Sequence, residues 1–279
     1  MFQLGSDAAS SSPQFVPDSD ARAWIAEALA TWAHSLGAAA ATPVRDVETA
    51  LVRPSRGSAP STLDGLFDLI CRVQEVVGQR TVEFSLHETG PDAPALPVGF
   101  EPLGESVGHF LHTYRRDDEY ALLYVPAIFR VPELLLASVA RELGRIAVVR
   151  AGAWDVLANH GQLEGEIELA AVSLGLGVWV ANGAYVFEQK CCGGGCGVDL
   201  KGVRTGLSMP EACFAGVLDT MRRGLSRRAF AKHLAPTQKA AFKASWKHVG
   251  REPQLSLAAM SQPRISGGSG DDGVPVLGD

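Results

Sequence analysis

Arg141-Glu142-Leu143-Gly144-Arg145 sets two guanidiniums one helical turn apart, with a carboxylate beside the first. A guanidinium stays protonated at any working pH and has no lone pair to donate, so these positions can pair with anions but cannot ligate a metal. Downstream, Glu164-Gly165-Glu166-Ile167-Glu168 gives Glu164 and Glu168 the same one-turn spacing. Carboxylates grouped without a counter-charge raise one another's pKa, and arginine supplies that charge through a directional fork of donors. Were the two segments to meet, the chemistry open to such a set would be ion pairing, and activation of a metal-bound water would be closed to it. The plainer alternative is a solvated helix face laced with exposed ion pairs.

Three further groups carry reactive side chains. Cys191, Cys192 and Cys196 put three thiols in six residues and could hold a soft metal, with Cys213 or His233 as a fourth ligand. The C-x-x-C spacing is missing and Gly193-Gly194-Gly195 reads as a flexible loop, so a loose reactive loop is the expectation. His109 and His112, three apart, would face opposite sides of a strand and are expected to be structural or surface histidines. From Met221 to Arg251 there are nine lysines and arginines and no acid, whereas residues 1 to 220 carry 27 acids against 15 bases. Arg222, Arg223, Lys239, Lys243 and Lys247 form the candidate basic patch, the lysines on one face of a helix beside Phe242, Trp246 and Val249. The expectation is a solvated helix bridging to the acidic body, and the alternative is a patch for nucleic acid or another polyanion. No G-x-x-x-x-G-K-[ST] and no post-strand G-x-G-x-x-G is present, so no cofactor is expected.

The elements that must position these residues follow from periodicity. Asp18 or Ser19 caps a helix to about Leu36, with Ala21, Trp24, Ile25, Leu29 and Trp32 on one face. Ala50 to Val52 is a short strand candidate, and Ser61 or Thr62 opens a helix carrying Leu63, Leu66, Ile70, Val73 and Val77. Strands are predicted over Thr81 to His87, Val107 to Tyr114 and Glu119 to Val125, the last two joined by Arg115-Arg116-Asp117-Asp118. Helices follow from Pro132 to about Val149, from near Leu163 to about Phe187, from Ser208 with a capping glutamate at Glu211, and from Pro236 to about Val249. Sheet first and helices afterwards predicts an α+β fold, with a small, mostly antiparallel sheet in the N-terminal half.

With 279 residues, 46% of them hydrophobic, 20% charged and a net charge of −6, the chain reads as an ordinary soluble protein. Residues 1–18 and those after about 262 are rich in Ser, Gly, Pro and Asp and are expected to be disordered tails. Five cysteines, unevenly placed, argue against a disulfide framework, and Met1 to Asp18 holds no basic segment followed by an apolar run. A cytoplasmic location is expected. The uncharged stretch from Leu169 to Phe187 approaches the length of a membrane span, yet Ser173, Asn182 and three glycines favour a buried helix.

Set beside H-E-x-x-H, the stretch at 141–145 keeps the glutamate and has arginine at both histidine positions. The run Glu168-Leu169-Ala170-Ala171-Val172-Ser173-Leu174-Gly175-Leu176-Gly177-Val178, followed by Ala181-Asn182-Gly183-Ala184, resembles the second helix of a family of uncharacterised bacterial gluzincin-like proteins. Gly206-Leu207-Ser208, and His233-Leu234-Ala235-Pro236 leading to Phe242-Lys243, are similar to that family's C-terminal region. The likeness covers roughly residues 40 to 250 and is strongest from 131 to 250. It implies a single zincin-like domain over 19–262, with Arg141 and Arg145 at the zinc-ligand positions. Glu142 falls at the general base, Glu164 at the third ligand and Glu168 at the acid that steadies the site. The function this implies is that of a catalytically inactive relative of a small zinc-dependent peptidase, acting through an unidentified protein partner and away from membranes. The alternative is an anion- or nucleic-acid-binding protein using the basic C-terminal helices.

Overall fold

A computed structural model describes residues 15–37, 60–90, 96–105, 108–159, 161–185, 206–252 and 254. The strand expected at Ala50–Val52, residues 1–14, the C-terminal tail and the Cys191, Cys192, Cys196 loop lie outside the described residues. Residues 15–18, expected within the disordered tail, are instead ordered, with Phe15 packed against the core and Pro17 buried.

Helix α1, Ser19–Ser35, begins where the Asp18 side chain accepts the Ala21 N–H at 2.9 Å, and it buries Ile25, Leu29 and Trp32. Helix α2, Leu63–Val76, is capped by Thr62 and buries Leu66, Ile70 and Val73, while Leu63, expected on the same face, is 41% exposed. Strands β1 (Phe84–Glu88), β2 (Glu101–Pro102), β3 (Leu111–Arg116) and β4 (Glu119–Tyr124) form one sheet in the order β1-β4-β3-β2. β3 pairs antiparallel with both neighbours and β1 runs parallel to β4. The hairpin turns at Asp117, whose φ of 51° is one that a short polar side chain tolerates. β1 starts three residues later than predicted and β3 four later, and β2 carries no alternation that would have announced it.

A short 3₁₀ turn, Pro126–Arg130, leads into α3, Pro132–Arg150. Every residue of α3 from Leu134 to Val149 is buried, not only the predicted apolar face. A helix enclosed on all sides has to pair any charge it carries, and this one carries Arg141, Glu142 and Arg145. After the single turn α4 (Trp154–Leu157) comes α5, Leu163–Ala171, packed along α3. Gly144 permits that approach, because a methyl group there would run into the Ile167 carbonyl and Ala171.

The second long helix is not continuous. A wide turn over Val172–Leu176, with Gly175 at φ +93°, separates α5 from α6, Gly177–Gly183. Leu169 to Gly183 is buried throughout, and no helix among the described residues is long and apolar enough to cross a membrane. Helix α7, Met209–Arg222, opens with the expected capping box of Ser208 and Glu211. α8 is Arg227–Ala231, and α9, Pro236–Val249, rests on α7 through Ala241, Phe242, Ser245 and Val249. The fold is α+β, with the small sheet laid against one side of α3 and helices α5 and α6 against others.

Candidate functional site

Where α3 passes between β3 and α5, the five residues singled out by spacing meet. Arg145, fully buried, donates from Nε to Glu142 Oε2 at 2.9 Å and closes a two-pronged fork on Glu164 at 3.0 and 2.9 Å. Its Nη1 also reaches the Leu103 carbonyl just beyond β2, at 2.8 Å. Arg141, one turn earlier and 2% exposed, donates from Nε to Glu168 Oε1 at 3.0 Å. The other Glu168 oxygen accepts the Leu207 N–H at 2.8 Å, tying the entry to α7 into the same network.

Glu142 Oε2 also accepts the backbone N–H and the hydroxyl of Thr113, at 2.9 and 2.8 Å. Thr113 lies on the β2 side of β3, where its carbonyl accepts the Leu103 N–H. The carboxylate therefore occupies the amide that β2 leaves uncovered. Three donors converge on that one oxygen, while Oε1 is buried without a hydrogen-bond partner. Burial drives the Glu142 carboxyl upward, but Arg145, His112 and Arg141, helped by the Arg145 hydrogen bond, outweigh it and hold the group at about 2. Such a carboxylate takes no proton near neutrality. Burial likewise works against the Arg145 charge, and Glu142 with Glu164 overcomes it and holds that guanidinium above its ordinary range.

The histidines are structural, one of the two roles expected, but they do not face opposite sides of a strand. His109 precedes β3 instead of lying on it, so strand alternation does not separate the pair. Their rings stack 5.6 Å apart at 16°. The Arg141 guanidinium lies 2.6 Å from His109 Nδ1 and must be the donor there, which leaves the proton of the neutral ring on Nε2, 3.9 Å from Glu164. Burial, then the Arg141 charge, lowers His109 to about 4. His112 is 3% exposed, has neither ring nitrogen partnered, and is lowered chiefly by burial. Both rings border the ion network as neutral groups. Spacing alone had no access to Leu103 and Leu207, which enter through backbone atoms, or to Thr113, which enters through its N–H and hydroxyl; the apolar setting of His112 was the one readable hint of an inward-facing ring.

The donor set does not fit zinc. Two guanidiniums stand where nitrogen ligands would be required, and Glu142 and Glu164 are already committed to Arg145. Cys213, offered as a fourth ligand to the cysteine loop, is buried with its thiol directed at the Gln238 carbonyl, 3.4 Å away. Burial pushes that thiol up to about 12, well away from a ligating thiolate.

The basic patch divides. Arg222 and Arg223 are held by Asp219 at 2.6 and 2.8 Å, and both donate to the Ser173 carbonyl at the wide turn after α5. They are structural and do not belong to an open patch, because the break at Gly175 leaves a carbonyl for them to satisfy. Lys243 and Lys247 are exposed and Lys239 is half-buried, and the expected bridges to the acidic body are not formed among the described residues.

No family model matches the chain, and searches of curated proteins and of solved structures find no match either.

Proposed function

We propose that this chain is a degenerate gluzincin-like protein, a zincin-like scaffold in which an arginine–carboxylate network has taken over the positions of the metal centre. On this reading residues 19–262 form one zincin-like domain. The protein has no peptidase activity, and it acts in the cytoplasm by binding another protein. The observation that carries the reading is the Arg145 fork on Glu164, with Glu142 on the same guanidinium. Two positions of H-E-x-x-H and the glutamate expected to complete a zinc site from the next helix are in direct contact. A solvated helix face would have left all three in water. Arginine replaces the charge of the metal and not its Lewis acidity, and Glu142, held at about 2, is no general base.

The test is metal content together with peptide hydrolysis. Purified protein should carry no stoichiometric zinc and cleave no peptide when zinc is added. The paired change Arg141→His with Arg145→His should create a zinc site that Glu164→Ala abolishes, without restoring catalysis. One zinc per chain in the unaltered protein, lost on Glu164→Ala, would refute the proposal. So would a folded double-histidine variant that takes up no metal.

A further inference from the structure

Arg141, Arg145 and the lysines and arginines from Arg222 to Lys247 fall into two kinds. Arg141, Arg145, Arg222 and Arg223 are each held by a carboxylate. Arg227, Arg228, Lys232, Lys243 and Lys247 are exposed and Lys239 is half-buried, and none of these six forms an ion pair among the described residues. The segment from 221 to 251 contains no acid that could serve them, and Glu252, just beyond it, is engaged by His248 at 3.2 Å.

The arrangement on α9 is costly for a helix that only has to be wetted. Lys239, Lys243 and Lys247 follow one another at one-turn spacing, so each repels the next where an alternating sign would attract. The first turn holds no acid to meet the positive end of the helix, and Lys239 sits close to it. The opposite face is fixed in the core by Ala241, Phe242, Ser245 and Val249. The three ammoniums therefore project in a row with steps of about 6 Å, four residues of helical rise.

The kind of partner follows from what this face lacks. Protein interfaces draw most of their energy from buried aromatic and apolar anchors. Among the described residues the exposed large hydrophobics are Leu63, Phe67, Val98, Val156 and Tyr185, and none of these is on α8 or α9. A polyphosphate chain needs no such anchor, since neutralising its charge releases the counterions condensed on it. Lysine, a point charge without a fixed fork, suits phosphates whose positions vary. We infer that the α8–α9 face binds the phosphate backbone of a nucleic acid, reading charge and not sequence. The inference is independent of the inactive-zincin reading and uses none of its residues.

Fluorescence anisotropy of the full chain with an end-labelled mixed-sequence duplex, and with its separated strands, tests this between about 50 and about 200 mM salt. With roughly four phosphates neutralised, affinity should fall on the order of 100-fold across that range. Lys239→Glu with Lys243→Glu and Lys247→Glu should abolish binding while circular dichroism keeps its helical signal. Lys243→Gln, which keeps the surface polar should the triple variant unfold, should lower the salt slope by about 1. Absence of binding at the lower salt, or binding indifferent to Lys243→Gln, overturns the inference. Displacement of the duplex by an equal charge of polyglutamate also overturns it, and assigns the face to an acidic protein surface.

Discussion

Arg145 carries more of this structure than any other side chain of the ion network, because two carboxylates from different helices and the Leu103 carbonyl just beyond β2 all terminate on it. Replacing it with methionine keeps most of its volume and strands Glu142, fully buried, with its negative charge uncompensated. Breaking a buried pair from one side typically costs about 3–5 kcal/mol. Urea denaturation of Arg145→Met should show a loss of that order, and a loss below about 1 kcal/mol would mean that the pairing is incidental. One-turn spacing marked Arg141 with Arg145 and Glu164 with Glu168, because spacing on a helix is a local property, while the expectation that the two helices meet came from the gluzincin-like resemblance. The partners Thr113, Leu103 and Leu207 were not legible, since they are brought in by chain path. His109 was misplaced for a related reason: β3 begins at Leu111, and a four-residue error in a strand boundary decides whether alternation applies at all.

At the scale of elements, caps and prolines announced most helix starts. Asp18, Thr62, the Ser208–Glu211 box and Pro236 open their helices as chemistry demands. The break at Gly175 was missed because apolar residues continue on both sides of it, and periodicity does not register a widened turn that stays buried. Two glycines make this testable. Gly144→Ala adds a methyl against the Ile167 carbonyl and should cost about 1–3 kcal/mol by forcing α3 and α5 apart. Gly175→Ala places a side chain at φ +93° and should cost about 1–3 kcal/mol through the backbone alone. Thermal melts of the two variants check both figures; a neutral Gly144→Ala would show that the helices have room to spare.

At the scale of the whole molecule, the contact between sheet and helices is also where acid should act. His109 titrates at about 4 in the folded state against an ordinary 6.5, and His112 is displaced in the same direction. A histidine depressed on folding binds fewer protons in the native state than in the unfolded one. Its contribution is therefore complete above about 6.5 and is lost as pH falls toward about 4. Glu142, lowered from 4.5 to about 2, adds a loss of the same sign that sets in below 4.5. Arg141, Arg145 and Glu164 surround the two rings and contribute opposing fields, and burial decides the direction. Urea midpoints measured from pH 7 to pH 4 should fall steadily, and His109→Gln should flatten the part of that decline lying between 6.5 and about 4. A midpoint constant down to pH 4.5 would show that neither ring is held neutral by the fold.

The shared acceptors of Arg145 also bear on how this sequence can change over generations. Because Glu142 and Glu164 share one guanidinium, a substitution at Arg145 deprives both of it, whereas loss of either carboxylate leaves Arg145 paired with the other. Drift at the Arg145 codon is selected against unless a second change accompanies it. Of the three positions, Arg145 should therefore be the one at which change is least tolerated.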